Sequence, residues 1–596
     1  MENKTMEGLA GSNRKLTLHL MFRLLPMQIV LALVGTFNAI ISGLFASNFV
    51  GVNAMTAIGL FNPINMFIQA LSAMLVGGVT ILCGKYMGRN EEDRVQDVFT
   101  LGNILALAIG LLFSVFCLVI GAFNLSGFLS NDPAVRPLLD AYMIGQAIGI
   151  IPLLLGNQLA SFLSLRNNAK RTIIAGVVFI IVNLILNLLF VVGFHMEAFG
   201  LALSSSCGMW VYFLIQAEYF MRRSSTLRVF SKFFSVKETV KIVKIGIPGA
   251  ASNGYQTARI LIVNMLMASY VGSKGISAFT ASDNLLKIAW ALPTGMIAVS
   301  RMLISISIGE EDRQTLTDVM RNMFRRFIPL MCAVSAVIMI CAIPLTRFYF
   351  RDTTDPVYMM TVWGFRLLPI CMPFSVMCMH FICYAQSSGK QFLVNLLAIL
   401  DGVICVAGFT ALLMPFIGMN GVYIANILNG IVTTIVVVAY SMIRKKRVPR
   451  DMDDLMVVPD DFGATEDERI DVTVTSEDEV VSVASRVQDF CNIRSIDPKR
   501  SYLAGLFLEE MAGNIVSHGF TKDRKKHSVD IRVVHKGDDI IMRIKDDCVP
   551  FDPATRRQLS DPDDITKNLG IRMIYKLASD IEYKNMLGLN VLTARI

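Results

Sequence analysis

The chain has 596 residues, of which 54% are hydrophobic and 17% charged, with a mean hydropathy of +0.55. That apolar content exceeds what a soluble core of this length would need, which excludes a wholly soluble chain and places the surplus in lipid. The formal charge of +8 divides unevenly: residues 1–450 hold 35 Lys and Arg against 19 Asp and Glu, and residues 451–596 hold 20 against 28. A basic membrane half therefore precedes an acidic, water-exposed one.

From the N-terminus, Arg14, Lys15 and Arg23 lead directly into an apolar run long enough to cross a bilayer, so no cleaved signal peptide is expected. Runs of spanning length recur at about 26–48, 54–86, 98–122, 138–163, 171–192, 198–220, 247–270, 276–308, 326–346, 361–384, 393–415 and 420–442. They predict twelve helices. Basic residues gather in alternate loops, notably 166–171, 222–244, 313–326 and 444–450, while His195-Met196-Glu197 and Phe416-Ile417-Gly418 hold none of the Lys and Arg. The positive-inside rule then places both termini in the cytoplasm of a cell-membrane protein. The 11 Cys lie scattered and form no Cys-x-x-Cys, which argues against a disulfide framework or a zinc site.

A repeat runs through this half. Gly51 and Gly88 are 37 residues apart, as are Gly272 and Gly309, and the second pair follows the first by 221 residues. Pro26 and Pro248 match at nearly the same offset, as do Arg166-x3-Lys170 and Gln386-x3-Lys390. Two six-helix repeats of like orientation would enclose a cavity between them near the midplane, the geometry of alternating access.

Pro26, Asn38, the segment Tyr86-Met87-Gly88-Arg89-Asn90-Glu91-Glu92, the turn Arg166-Asn167-Asn168-Ala169-Lys170, Asn183-x3-Asn187 and Met196-Glu197-Ala198-Phe199-Gly200-Leu201-Ala202 resemble the multidrug and toxic-compound extrusion (MATE) transporters over about residues 16–445. The resemblance implies an all-α membrane domain with repeats at about 16–222 and 240–445, exporting a small amphipathic or cationic substrate in exchange for Na⁺ or H⁺. Many members carry an Asp in the first span shortly after the Asn matching Asn38; here the chain reads Ala39-Ile40-Ile41-Ser42, and no acid lies between Glu7 and Glu91. Coupling must then use other groups. Charges at membrane depth are costly and tend to face a cavity or a partner, and the candidates are Arg259, Asp283, Lys287, Arg301, Arg366 and Asp401. Asp283 and Lys287 share a helix face and can neutralise one another. Asp401 has no partner within a turn of its own helix and is the leading coupling candidate. Asn38 and Ser42, four apart, could offer oxygens to Na⁺ or substrate, or simply hydrogen-bond between helices.

Residues 446–466 form a charged linker in this reading, and beyond it the periodicity changes. Residues 470–474, 528–535 and 539–546 alternate as strands, 580–586 with 589–596 as a closing hairpin, and 477–492, 499–518 and 568–579 as helices. An α+β sandwich over 467–596, helices on one face of a mixed or antiparallel sheet, is the expected packing. Three motifs follow in order: Glu510-x3-Asn514 on a helix, Asp546-Asp547-Cys548-Val549-Pro550-Phe551-Asp552 after a strand, and Asn568-Leu569-Gly570-Ile571 at a helix start. Together they resemble the ATP site of gyrases, histidine kinases and, most closely, anti-sigma factor serine kinases.

In that frame Asn514 would hold Mg²⁺, Glu510 would orient water or accept a hydroxyl proton, and Asp546 would accept the adenine amino group. Phe551 would belong to the following turn, and Asn568, Leu569 and Gly570 would offer amides to phosphate. Cys548 and Asn568 stand where the family favours Gly. No Gly-x4-Gly-Lys-Ser/Thr is present, which removes the P-loop alternative. The resulting expectation is a secondary-active efflux transporter with an ATP-binding regulatory domain, whose serine/threonine kinase activity stays open. A membrane-tethered signalling kinase or nucleotide sensor and a lipid-precursor flippase are the competing readings. Membrane lipid and a cytoplasmic regulatory protein are the expected partners, and nucleic acid is not.

Overall fold

A computed structural model describes the chain except residues 1, 46–48, 51, 90, 129–131, 167, 223–235, 351, 466, 523–526, 551–575 and 577. The first half-repeat consists of α1 (Glu2–Phe45), α2 (Val52–Gly88), α3 (Glu92–Ala122), α4 (Arg136–Leu165), α5 (Ala169–Asn187) and α6 (Glu197–Met221). The second begins with α7 (Val236–Tyr270), α8 (Ser273–Gly309), α9 (Arg313–Asn322), α10 (Ile328–Ile340) and α11 (Ala342–Tyr349). It continues with α12 (Pro356–Leu367), α13 (Cys371–Ser387), α14 (Gln391–Ile399), α15 (Cys405–Ile417) and α16 (Asn420–Lys445).

Eleven helices among the described residues are long and apolar enough to cross a membrane. Twelve were expected. The difference is α7: a 35-residue helix does cover 247–270, but Gln256, Arg259 and Asn264 on it face an internal cavity and dilute its hydropathy. Outward positions such as Leu112, Ile185, Leu261, Ile340 and Phe416 are exposed, as lipid-facing side chains should be.

The repeats meet closely where α2 and α8 end. A Cβ on Gly88 would stand 2.4 Å from the Ile306 carbonyl oxygen, and one on Gly309 would stand 2.2 Å from that of Lys85. The recurring glycines are thus partners in one contact, and each is small so that the other's backbone can approach. Gly84 lies equally tight against Ser305 one turn away.

After α16 the chain does not run free. The short helix α17 (Met452–Met456) is held by Arg313 Nε to Asp453 Oδ2 at 2.6 Å, Ser441 Oγ to the Asp454 carbonyl at 2.6 Å, and Lys390 Nζ to the Met456 and Val457 carbonyls at 2.7 and 2.6 Å. The charged linker is a strap packed under the membrane half.

The C-terminal domain has a five-stranded antiparallel sheet: β1 (Arg469–Val474), β2 (Val529–Lys536), β3 (Asp539–Asp546), β4 (Asp580–Met586) and β5 (Leu589–Arg595), in the order β1-β2-β3-β5-β4. Period-2 alternation buries Ile531, Val533, Met542, Ile544, Leu592 and Ala594 against α18 (Glu477–Ile493) and α19 (Pro498–Asn514), where Val483, Val487, Phe507 and Leu508 complete the core. Ser476 caps α18, its Oγ accepting from the Glu479 amide. The opposite face carries Asp530, Arg532, Arg543 and Lys545 toward the membrane helices, and Met586, Leu587, Leu589 and Val591 join the hydrophobic core of the membrane half. The helix expected over 568–579 lies almost wholly outside the described residues.

Candidate functional site

Between α19, the last turn of β3 and the β4–β5 hairpin lies a cavity of about 380 Å³ lined by Met511, Asn514, Ile515, His518, Asp546, Cys548, Tyr583, Asn590 and Leu592, among others. Asp546 sits at its buried end because β3 terminates there and the even-numbered face of the strand points toward α19. Its Oδ1 accepts from Asn590 Nδ2 at 2.7 Å and from the Cys548 amide at 2.9 Å. Asn590, cross-strand from Asp546, is itself fixed by Tyr583 Oη at 2.8 Å and Asn585 Nδ2 at 2.9 Å, both donating to its Oδ1. Burial raises the Asp546 carboxyl above its ordinary range, and the donors from Asn590 and Cys548 pull partly against that.

This arrangement suits a purine. Apolar walls (Met511, Ile515, Leu592) can cover the ring faces, and an oriented carboxylate can accept an exocyclic amino group. Asn514 lines the same cavity, its amide donating to the Glu510 carbonyl. It lies where α19 widens into the π-turn Ile515–Gly519. Glu510, one turn earlier, is half-buried and is not among the lining residues. Phe551, Asn568, Leu569 and Gly570 fall outside the described residues. Sequence reasoning missed Asn590, Tyr583 and His518; Asn590 becomes visible only once the β3–β5 register is known.

On the far side of the sheet Asp530 is buried, accepting from Thr473 Oγ1 at 2.5 Å. Burial pushes its carboxyl up to about 7; Thr473 and Lys545 oppose the rise, and Asp312 and Asp471 add to it. A raised carboxyl contributes stability that is complete below its unfolded value and is lost as pH rises through about 7. Asp530→Asn is therefore expected to raise the melting temperature at pH 8 and to leave it nearly unchanged at pH 4, with about 4 kcal/mol as the ceiling. Calorimetry across that range reads it.

A second cavity, about 610 Å³, opens within the second repeat and is lined by Arg259, Asp283, Lys287, Trp290, Asp401 and Asn429, among others. Asp401 lies in a π-turn, Leu400–Ile404, and its Oδ1 accepts from Asn429 Nδ2 at 2.8 Å, while Arg259 donates to its backbone carbonyl at 3.4 Å. The partner that its own helix lacked comes from α16. Asp283 and Lys287 pair at 3.2 Å on α8. Asn38 and Ser42 lie one turn apart on α1, with side chains outside the described set.

Comparison with known proteins places both halves. Residues 26–189 match the MatE family model, and residues 473–596 match that of the histidine kinase-like ATPase domain. The probable multidrug resistance protein NorM of Bacillus licheniformis is 26% identical over 314 residues, covering 49% of this chain and 64% of that protein. The multidrug resistance protein NorM of Vibrio cholerae is 22% identical over 193 residues, covering 31% and 42%. A crystal structure of MATE in complex with MaL6 superposes with a TM-score of 0.67 at 20% identity, over 72% of this chain and 97% of the other. An outward-facing multidrug resistance MATE family transporter gives the same TM-score and identity over 72% and 96%. The chain spans just under two thirds of the B. licheniformis relative, and the structural likeness establishes the fold. This chain is a multi-pass membrane protein with the fold of the MATE structures, in which a segment similar to the MatE family model precedes a C-terminal segment similar to the histidine kinase-like ATPase domain.

Proposed function

We propose that the protein is a secondary-active exporter of small amphipathic or cationic compounds, driven by Na⁺ or H⁺, with a C-terminal domain that binds Mg-ATP as a regulator. The cavity around Asp401 carries the reading. It offers a carboxylate beside the buried Oδ1 of Asn429, which has no hydrogen-bond partner among the described residues. A desolvated oxygen left unpaired costs free energy, and a cation bound next to Asp401 would satisfy it. Trp290 and Met372 supply apolar wall for an amphipathic cargo.

Both termini lie on the cytoplasmic side of the cell membrane in this reading, because the basic loops gather there. ATP then reaches the C-terminal domain, where Asn514 would hold Mg²⁺ and Asp546 the adenine amino group. Mg-ATP supplies a regulatory ligand and, if Glu510 orients a water or hydroxyl, a phosphoryl donor. Reconstituted protein is expected to release a cationic dye against a Na⁺ or pH gradient, at a rate that changes when Mg-ATP is enclosed on the domain's side. Gradient-independent leakage equal to that of empty vesicles would exclude transport and favour a nucleotide sensor.

A further inference from the structure

The membrane-side face of the sheet is built to receive acid. Arg532 and Arg543 stand directly cross-strand from one another, and like charges so placed repel unless something intervenes. What intervenes is the α8–α9 loop. Glu310, 2% exposed, accepts from Lys545 Nζ at 2.7 Å and pairs with Arg543 Nη1 at 3.4 Å. Asp312 pairs with Arg532, and Glu311 with Lys536 at 2.6 Å. The first repeat meets the same sheet at its other edge, through the start of α3, the end of α4 and the middle of α1. Glu92, held by Arg166 at 2.7 Å, lies 3.5 Å from the buried Lys584, itself held by Glu582 at 2.7 Å; the Leu587 amide donates to the Leu165 carbonyl at 3.4 Å, and Arg23 donates to the Gly588 carbonyl at 3.3 Å.

We propose that this face is a staple: by holding the α8–α9 loop of the second repeat and the start of α3, the end of α4 and α1 of the first on one sheet, it locks the Gly88–Gly309 contact, so the two repeats part on that side only when the sheet lets go. The staple rests on the alternating-access reading above and assigns its regulation. Burial makes the lock strong, because removing one partner strands a desolvated charge. It also has an input. Lys545 and Asp546 are consecutive on β3 and point to opposite faces, one to Glu310 and the other to the nucleotide cavity. Any ligand that moves the end of β3 changes the grip on Glu310, and the grip must change ligand affinity by the same factor.

The test uses spin labels at Asp93 and Gln314, one on each repeat beside the staple, in full-length protein in nanodiscs without substrate. Wild type is expected to give one short distance. Lys545→Glu with Lys584→Glu should replace it by a longer distribution and expose the sheet to hydrogen exchange. Lys545→Glu alone should lengthen the distance in part, and adding Glu310→Lys to it should restore much of the short distance, which shows that the lengthening comes from the lost ion pair and not from unfolding. Two results would overturn the staple: an unchanged short distance although exchange shows the sheet released, or a sheet that stays protected after both reversals. Because the labels report separation without cargo, a protein that opens in this way but moves no dye would refute the transport reading alone.

Discussion

Asp546→Ala is expected to weaken Mg-ATP binding to the intact protein by about tenfold to a hundredfold, read by calorimetry. The carboxylate is buried, positioned by Asn590 and the Cys548 amide, and aimed at the cavity. A hydrogen bond to a charged group in such a place is worth roughly 1.5–3 kcal/mol, and each 1.4 kcal/mol is a factor of ten. Asn514→Ala should remove the Mg²⁺ dependence, and Glu510→Ala should spare binding while abolishing any phosphoryl transfer. Binding that survives Asp546→Ala unchanged would place the nucleotide elsewhere or make the domain an interaction module.

The second large effect is expected at Asp401. Asp401→Asn keeps the volume and can still accept from Asn429 Nδ2, so the π-turn and α16 stay together. Among the described residues lining this cavity, it removes the only carboxylate that is not already paired with Lys287. Ion-driven flux should fall to the level of empty vesicles while substrate binding persists. Full gradient-driven efflux from Asp401→Asn vesicles would sink the assignment, and loss of efflux in Asp283→Asn alone would transfer the role to the Asp283–Lys287 pair.

Much of this was legible beforehand because the signals were local. Strands such as Asp539–Asp546 alternate apolar and polar residues, and the hairpin 580–596 turns at Leu587-Gly588. The glycine repeat foretold two related halves, though not that Gly88 and Gly309 touch. What stayed hidden depends on distant partners. Glu310-Glu311-Asp312 reads as an exposed acidic loop until Arg532, Arg543 and Lys545 are placed over it, and 446–466 reads as a tether until Lys390 and Arg313 are seen to grip it. The seventh span, 247–270, was readable from its apolar run, but what makes Gln256, Arg259 and Asn264 tolerable within it is a cavity that no single-helix window contains.

The ion pairs between Glu310 and Lys545 and between Glu311 and Lys536 join residues 235 and 225 positions apart. At ordinary synthesis rates of about 5–20 residues per second, the bases emerge on the order of 10–50 s after the acids. The membrane helices must therefore be inserted and packed by the translocation machinery while their loop acids are still hydrated and alone. The brace is delivered after the helices it fastens. A message cut short before the codons for β2 and β3 would leave an integrated bundle with nothing to fasten it, a product that quality control would have to recognise by its loose loops rather than by failed insertion.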